Sequence, residues 1–280
     1  MKIAVLSGKG GTGKTLAAVN LAAAAGHALY LDCDVEEPNG HLFFKPENMK
    51  TEEITVRIPV VDQDLCTGCR DCVEFCRFNA LAHVGGRLLI FEEICHSCGG
   101  CVLVCPEKAL TEKDRVIGVV RRGDSAGVRV HSGILNPGEE SGVPLVQRLF
   151  ENLKEEDELQ VFIDGPPGTS CVVMETVTGA DFCLLVAEPT LFGAHNLEMI
   201  HGLVKLMGKP FGVLLNKCLE GDNPSEEYCL TRGIPILGRI PFDRDLGRLN
   251  SEGEIAVRAD ERYRELFSDL LLAIEKEAVS

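Results

Sequence analysis

The stretch SGKGGTGKT, residues 7–15, constrains the fold of this chain more than any other feature of its sequence. Residues 8–15 fit the pattern G-x-x-x-x-G-K-[ST], in which glycines let backbone N–H groups turn toward phosphate oxygens. An apolar run typical of a buried strand precedes this motif, and the Ala-rich stretch 14–25 after it favours a helix. A second apolar run at 28–34 completes a strand–loop–helix–strand unit. The sequence therefore predicts an α/β fold with a parallel sheet and a right-handed crossover.

The second half of the chain supplies further elements of the same kind. Four apolar runs are expected to be strands, with helical stretches between them: 161–165, 181–188, 211–217 and 234–241. The stretch 116–133 alternates in period two around Gly-Asp, which predicts a hairpin. We expect a helix with an acidic end over 144–159 and a final amphipathic helix over 259–277 that packs on the sheet.

Three residues are expected to meet the phosphates and their metal ion. Lys14 should contact the β- and γ-phosphates, and the hydroxyl of Thr15 should ligate Mg²⁺. Asp164 ends the apolar strand VFID, which is the Walker B position, and should complete the Mg²⁺ site. The stiff turn 165–168 follows it and is placed to sense the γ-phosphate.

The form KGGTGKT carries a second lysine, Lys9, and resembles the deviant Walker A motif of the MinD, ParA and nitrogenase iron-protein family. In that family the first lysine reaches across a two-fold interface to the partner's nucleotide, so the resemblance implies an ATP-dependent homodimer. The segment DCDVEEPN resembles switch I of the family, which gives Asp34 the role of positioning the attacking water beside Mg²⁺. The segment DGPPGTS, 164–170, resembles switch II, especially in the Mrp branch.

The resemblance also implies an adenine site and covers residues 1–57 and 116–280, as one discontinuous MinD-like domain. Asn216 is expected to hydrogen-bond adenine, and the segment PFD to line the base. By this resemblance Lys9, Lys14 and Asp34 would be catalytic, and Thr15, Asp34 and Asp164 would bind Mg²⁺. The residues expected to bind ATP are Gly8, Lys9, Gly10, Gly11, Thr12, Gly13, Lys14, Thr15, Leu16, Asn216, Lys217, Pro241, Phe242 and Asp243.

Cysteine is the second strong signal in this sequence. The chain has 13 cysteines, although disulfides are disfavoured in a cytoplasmic protein, and eight of them form a repeat. Segments 65–81 and 94–110 both read C-x2-C-x2-C-x3-C. This spacing predicts two [4Fe–4S] clusters, each held by three cysteines of one repeat and the fourth of the other. The expected ligand sets are Cys66, Cys69, Cys72 and Cys105 for the first cluster, and Cys76, Cys95, Cys98 and Cys101 for the second.

Segment 58–115 resembles the bacterial two-cluster ferredoxins, which implies an inserted α+β domain. Arg77 departs from their pattern, because a proline follows the corresponding cysteine of the other repeat. A positive charge there favours the reduced form of a nearby cluster and would raise its potential slightly. Zinc is the alternative metal for C-x2-C pairs, but eight cysteines in crossed spacing favour iron–sulfur clusters.

The remaining cysteines are weaker candidates. Four of them lie in apolar or helical contexts and are expected to be small core residues: Cys33, Cys183, Cys218 and Cys229. Cys171 follows switch II, where the nitrogenase iron protein holds a cluster shared between subunits. A shared cluster needs two cysteines from each subunit, and 131–142 offers no second one.

Composition narrows the possible partners. The formal net charge of −15 argues against a nucleic-acid binder, which needs clustered Lys and Arg, and against binding to anionic lipid. No apolar run reaches the roughly 18 residues of a membrane span, and the N-terminal residues do not form a signal peptide. We therefore expect a cytoplasmic protein.

Three functions fit these features. The first is a homodimeric ATPase that couples Mg-ATP hydrolysis to electron transfer from its clusters to an unknown acceptor protein. The second is a carrier or assembly ATPase of the Mrp type for an iron–sulfur or metal centre, although the C-terminal C-x-x-C of related carriers is missing. The third is a positioning switch like MinD or ParA with clusters as redox sensors. Two complete cysteine sets favour the first.

Overall fold

The computed structural model describes residues 1–155 and 159–279. The strands are β1 (Lys2–Leu6), β2 (Ala28–Asp32), β3 (Glu47–Val61), β4 (Leu81–Val84), β5 (Arg87–Ile90), β6 (Leu110–Ser125), β7 (Val128–Leu135), β8 (Gln160–Asp164), β9 (Phe182–Ala187), β10 (Phe211–Cys218) and β11 (Ile236–Pro241). The helices are α1 (Lys14–Ala25), α2 (Gly40–Phe44), α3 (Asp71–Phe75), α4 (Gly100–Leu103), α5 (Val143–Glu151), α6 (Cys171–Gly179), α7 (Leu191–Leu206), α8 (Pro224–Arg232), α9 (Arg244–Ser251), α10 (Ala256–Ala259) and α11 (Glu261–Ala278). Short 3₁₀ turns cover Glu92–Ile94 and Asn152–Glu155.

Within the described residues, nine strands form one mixed sheet in the order β11-β10-β9-β1-β8-β2-β7-β6-β3. Neighbouring strands are parallel from β11 to β7, and the last two pairings, β7 with β6 and β6 with β3, are antiparallel. Central parallel strands have helices on both faces, so both faces of each strand are apolar. This is why β9 is buried along its whole length, and it confirms the predicted α/β class with a mostly parallel sheet.

Two apolar layers lie on opposite faces of this sheet. Leu29 and Leu31 of β2 point into the layer covered by α5, α6 and α7, whereas Tyr30 points into the layer covered by α1 and α11. The alternation follows from the period of two along a strand. Helix α11 buries Tyr263 and Phe267 on one stripe, so the predicted amphipathic helix packs on the sheet.

The two longest strands, β3 and β6, form an antiparallel ribbon that joins the sheet to residues 62–109. Their pairing runs from Glu47 opposite Asp124 to Val61 opposite Leu110. The sequence analysis did not predict β3, whose first half is mostly charged and polar and whose alternating apolar residues begin only at Ile54. The domain limits expected at 57 and 116 therefore fall inside continuous strands, since the ribbon carries the chain out of the sheet and back again.

The predicted hairpin exists, but its turn is not at Gly-Asp. Strand β6 continues to Ser125, and the loop consists of Ala126 and Gly127, both with positive φ (46° and 88°). This backbone conformation is typical of tight two-residue hairpins. A side chain at Gly127 would lie 2.6 Å from the carbonyl oxygen of Gly26, so the turn packs closely against the end of α1.

Residues 62–109 contain two very short helices, α3 and α4, and the two-stranded sheet of β4 and β5. Their apolar core is small and includes two of the repeated cysteines. The buried members are Cys72, Ala80, Leu81, Leu88, Cys101 and Leu110. Cysteine side chains are therefore part of the packing of this segment.

Two further expectations concern helices. The stretch 144–159 forms α5 and the following 3₁₀ turn, whereas its acidic residues 156–158 lie outside the described part of the chain. No helix among residues 1–155 and 159–279 is both long and apolar enough to cross a bilayer.

Candidate nucleotide site and cysteine cavities

The loop between β1 and α1 has the backbone conformation that its glycines predict. Gly11 and Gly13 have φ of 79° and 96°, in the region that favours glycine. A Cβ at Gly13 would lie 2.1 Å from Nδ2 of Asn216, so only glycine fits there. No side chain of the described residues caps α1, and the buried hydroxyl of Thr12 has no partner. Unpaired donors at a helix N-terminus fit a phosphate group.

Lys14 is buried among carboxylates in this loop. Its Nζ lies 2.9 Å from Oδ1 of Asp164 and 3.7 Å from Oδ2 of Asp34. Burial alone would lower the pKa of Lys14, but the nearby carboxylates outweigh it, so the pKa is raised. The lysine is therefore a charged ammonium that can exchange a carboxylate partner for phosphate oxygens.

Two residues that the sequence analysis did not single out lie close to Asp164 in the sheet. Tyr30 donates a hydrogen bond from its hydroxyl to Oδ2 of Asp164, at 2.9 Å. Asp32 lies opposite Asp164 in the register of β2 and β8, and accepts hydrogen bonds from the backbone N–H groups of Gly40 and Asp34. Burial, followed by the charge of Asp164, raises the pKa of Asp32 well above its ordinary value. The signal was present, since two parallel strands each end in aspartate, but their adjacency depends on strand order.

Asp34 lies at the edge of the same charge cluster. Burial raises its pKa to about 6, although the Lys14 ammonium opposes the shift. Its side chain is 19% exposed, so water reaches the carboxylate. This placement fits both predicted roles of Asp34, positioning water and contributing to a Mg²⁺ site, which remain predictions.

A cavity of about 490 Å³ opens beside this cluster and extends to the C-terminal part of the chain. Most of the residues expected to bind ATP line it: Gly10, Gly11, Gly13, Lys14, Thr15, Leu16, Asn216, Lys217, Pro241, Phe242 and Asp243. Glu37, Asn39 and Pro167, from the segments that resemble switch I and switch II, also line it. Further walls come from segments that carried no motif: Leu42, Phe43, Leu246, Gly247 and Asn250. Asp34 also lines the cavity, whose volume suits a ligand of nucleotide size.

The residues predicted to contact adenine have structural partners as well. Asn216, only 2% exposed, donates from Nδ2 to the carbonyl of Thr12, and its Oδ1 accepts from the N–H of Lys217. Lys217 donates from Nζ to the carbonyl of Gly11. Strand β10 therefore holds the phosphate loop in place, and contact of Asn216 with adenine stays a prediction. Asp243 caps α9 and accepts a hydrogen bond from the hydroxyl of Tyr263.

Lys9, the additional lysine, is not among the residues that line this cavity. Its Nζ lies 2.6 Å from Oε2 of Glu188 and above the ring of Phe192. Glu188 also pairs with Lys217, at 2.7 Å. Gly8 has no room for a side chain, because a Cβ there would lie 2.1 Å from the carbonyl oxygen of Asn196. Within one chain Lys9 is thus held by an ion pair, and its action on a partner subunit stays a prediction.

The eight repeated cysteines line two separate cavities. Cys66, Cys69, Cys72 and Cys105 line the first, and Cys76, Cys95, Cys98 and Cys101 line the second. Each cavity thus collects three cysteines of one repeat and one of the other, the grouping that the spacing predicts. Their role as cluster ligands remains a prediction.

The chemistry of these cavities fits an iron–sulfur cluster. Four thiols around an open space are the donor set of a [4Fe–4S] cluster. Among the described residues, no three His, Cys, Asp or Glu side chains meet closely enough to hold a single metal ion. Burial raises the pKa of the Cys101 thiol to about 11, so metal binding there would have to displace a proton.

The second cavity differs from the first in its charged and aromatic walls. Arg77, the residue that departs from the repeat pattern, lines it together with Phe78 and His96. The rings of Phe78 and His96 are stacked, with centroids 3.8 Å apart. The first cavity is instead lined by Arg70, His83 and Glu107 beside its cysteines.

The other cysteines divide as the sequence suggests, with one difference. Cys33, Cys183 and Cys229 are buried, whereas Cys218 is only half-buried. Cys171 is exposed and begins α6, directly after the turn that resembles switch II.

Comparison with known proteins supports this description. The model of the CobQ/CobB/MinD/ParA nucleotide-binding domain matches residues 3–257. An uncharacterised protein of Methanocaldococcus jannaschii is 28% identical over 273 residues, which are 96% of this chain and 95% of that protein. A ferredoxin of Pyrobaculum islandicum is 39% identical over 54 residues, 19% of this chain and 50% of the ferredoxin.

Solved structures show the same fold. The septum site-determining protein MinD of Pyrococcus horikoshii, complexed with Mg-ADP, aligns with a TM-score of 0.62 at 19% identity. The alignment covers 99% of this chain and 96% of that one. Because the family model spans most of the sequence, the chain belongs to the CobQ/CobB/MinD/ParA nucleotide-binding-domain family.

Proposed function

We propose that the protein is a Mg-ATP-dependent ATPase with two [4Fe–4S] clusters, which couples ATP hydrolysis and closure of a homodimer to electron transfer to a partner protein. One observation carries the proposal: eight cysteines gather by fours around two cavities in a chain that also has a nucleotide cavity. A low-potential one-electron donor would reduce the protein, and the partner would accept the electron.

The charge cluster around Lys14 supports ATP hydrolysis, in which ATP and water give ADP, phosphate and a proton. Lys14 would exchange Asp164 for the β- and γ-phosphate oxygens. Asp164, freed from Lys14, would hold Mg²⁺ with Thr15 and Asp34. Asp34 would orient the attacking water, because it is the partly exposed carboxylate of the cluster.

Lys9 supports the dimer. Its ion pair with Glu188 is partly exposed, so a phosphate of the partner's nucleotide could replace the carboxylate at modest cost. ATP would then bind the closed dimer better than the open one and shift the equilibrium by that difference in affinity. Electron transfer depends on this closure in the proposed mechanism.

The cysteine cavities supply the redox part. A bound [4Fe–4S] cluster supplies a one-electron redox centre. The thiols of each set would hold it as thiolates, and the apolar residues around them limit access of water, which affects the potential.

Anaerobic purification with iron counting and an ATPase assay tests the proposal. We expect about eight irons per chain, since two clusters hold four each. Oxidation of the dithionite-reduced protein by a one-electron dye, followed by electron paramagnetic resonance (EPR), should differ between ADP and a non-hydrolysable ATP analogue. In Lys9→Ala both this difference and the ATP-dependent dimer should disappear. An iron-free protein, or full iron with no nucleotide dependence, would contradict the proposal.

A second candidate is a cluster carrier of the Mrp type. The exposure of Cys69 and Cys98 favours it, because each cavity then has one ligand open to solvent. A carrier would pass its cluster to an iron-free ferredoxin under reducing, anaerobic conditions. Retention of all iron by the protein in that assay would exclude this candidate.

A further inference from the structure

Residues 136–142, which we call the bridging turn, lie between β7 and α5 and contact both β6 and the cysteine-rich segment 62–109. Glu139 holds the guanidinium of Arg115 with both carboxylate oxygens, at 2.6 and 3.2 Å. Glu140 lies 3.4 Å from Nε2 of His96, the residue after Cys95. The first pair is well shielded, since the side chains of Arg115 and Glu139 are 18% and 10% exposed.

The same turn packs against the segment that resembles switch I. The N–H of Leu135 donates to the carbonyl of Val35, the residue after Asp34, at 2.8 Å. A Cβ at Gly142 would lie 2.3 Å from a methyl carbon of Val35 and 3.7 Å from one of Val172, the second residue of α6. Leu135, directly before the bridging turn, and Gly142, at its end, therefore pack against Val35 in the segment that resembles switch I.

A third set of contacts fixes the turn to the ribbon. The N–H of Asn136 donates to the carbonyl of Ile117 in β6, at 2.8 Å, two residues from Arg115. Lys113 on the same strand pairs with Glu92, shortly before Cys95. The bridging turn, β6 and the segment around Cys95 thus form one continuous set of contacts.

Charge connects this arrangement to the second cysteine cavity. His96, which Glu140 contacts, lines that cavity. Arg115 follows Glu112 by three residues on β6, and Oε1 of Glu112 would lie 3.5 Å from a Cβ at Gly99 in the cavity wall. A cation near a cluster favours its reduced form, and a carboxylate paired with the cation offsets this effect. The distance between Glu139 and Arg115 should therefore affect the reduction potential of a cluster held in the second cavity.

We propose that the bridging turn transmits the nucleotide state to the second cysteine cavity by moving Glu139 relative to Arg115. This inference rests on the proposed function, because it requires nucleotide and clusters on the same chain. In this proposal the charge of Arg115 affects the potential of the second cluster only. The potential of a cluster in the first cavity should therefore change less with nucleotide.

Redox titration of the anaerobic holoprotein, followed by EPR with ADP and with a non-hydrolysable ATP analogue, tests this inference. The two clusters are assigned with Cys69→Ser and Cys98→Ser, which perturb the first and second cavities respectively. We expect the midpoint potential of the second cluster to shift with nucleotide. Glu139→Gln should make this potential more positive, Arg115→Gln should make it more negative, and both should remove most of the nucleotide-induced shift.

Arg57→Gln is the matched control, because Arg57 lies on the same ribbon and forms ion pairs with Glu112 and Asp114. It should leave the nucleotide-induced shift of the second cluster unchanged. Hydrogen exchange gives an independent readout: nucleotide should change protection of the bridging turn in the wild type and in both test variants.

The outcomes separate this inference from the proposed function. An iron-free protein contradicts the proposed function. Full iron with a nucleotide-induced shift that persists in both Glu139→Gln and Arg115→Gln overturns only the role of the bridging turn. Full iron with no shift of the second cluster in the wild type also overturns that role, and the dye-oxidation assay then decides the proposed function.

Discussion

The nucleotide cavity and the cysteine cavities differ in how their polar side chains are paired and in the size of the core beneath them. Around the phosphate loop, Lys14, Asp164 and Tyr30 hold one another through buried ion pairs and hydrogen bonds. The site thus satisfies its own charges and lies on the central strands of a large sheet. Around the cysteine cavities the thiols face open space, and the core beneath them is small.

This difference indicates which part of the molecule depends on its ligand for folding. A segment as short as 62–109 rarely has enough apolar core to fold alone and commonly needs a metal or another staple. The nucleotide cavity needs no such help, because its lining belongs to elements that pack for other reasons. We therefore expect removal of ligands to affect the two regions very differently.

The largest effect should follow removal of iron by chelation under reducing conditions. Metal binding is coupled to folding in small cysteine-rich domains, so protection from hydrogen exchange should fall throughout 62–109. Strands β1, β8 and β9 should keep their protection, since the core of the sheet contains none of the repeated cysteines. Equal loss of protection in both regions would show that they form one cooperative unit.

The next largest effect should separate ATP hydrolysis from iron binding. Lys14→Ala removes the ammonium that would stabilise the transferred phosphate, so kcat for ATP should fall by about 10²–10³-fold with iron content unchanged. Cys98→Ser should lower the iron content and leave kcat within about 2-fold, the range of a surface change. Circular dichroism checks folding, and Lys14→Gln is a second variant in case alanine leaves Asp164 unpaired. A large loss of ATPase activity in Cys98→Ser would contradict this separation.

Loss of stability in acid should also distinguish the sheet from the cysteine-rich segment. This effect should be of intermediate size. Burial, helped by Arg122 and Arg129, lowers the pKa of His131 to about 4, and its Nδ1 has no partner among the described residues. The unfolded chain, with a histidine pKa of about 6.5, binds more protons between those values. The contribution of His131 to the free energy of unfolding is therefore fully present above about pH 6.5 and is lost as pH falls toward about 4. At pH 5 the loss should be about 2 kcal/mol.

His131→Met tests this expectation, because methionine fills a similar volume without a titrating group. Urea unfolding of wild type and variant at pH 7 and pH 5 gives the comparison. The wild type should lose more stability than the variant between the two values. The same pH dependence in both proteins would mean that other groups dominate the acid response of the sheet.

The smallest effect concerns the lysine that would join two nucleotide sites. Glu188→Gln weakens the partly exposed ion pair that holds Lys9, a contact of about 0.5–1 kcal/mol. If Lys9 is thereby released toward the partner's nucleotide, the ATP-dependent dimer should tighten about 2–5-fold in analytical ultracentrifugation. Glu198→Gln removes an exposed ion pair on α7 and serves as control. A weaker dimer would show that Glu188 orients Lys9 rather than retaining it.

The order of elements and the phosphate loop could be predicted because their signals are local. Helix α1 has the predicted limits, and β1, β2 and the four later strands match within a few residues. The loop conformation follows from Gly11 and Gly13, because both have a positive φ and this backbone conformation favours glycine. The cysteine grouping followed from the C-x2-C-x2-C-x3-C pattern, in which the fourth cysteine of one repeat serves the cluster of the other, and the same groups line the two cavities.

Features that depend on distant parts of the chain could not be predicted in this way. The pairing of β3 with β6 was not predicted, because residues 62–109 separate the two strands and no local signal marks their register. Tyr30 and Asp32 join the site only because β2 is adjacent to β8 in the sheet. The same holds for Glu188, which is far from Lys9 in the sequence.

By itself, then, the sequence determined the phosphate loop, the α/β class and the two sets of four cysteines, because short-range spacing and backbone conformation decide them. Only the tertiary structure decided that Asn216 supports the phosphate loop and that Glu139 pairs with Arg115. Those contacts depend on strand order and on the packing of a turn between two strands, and no local pattern of residues encodes either.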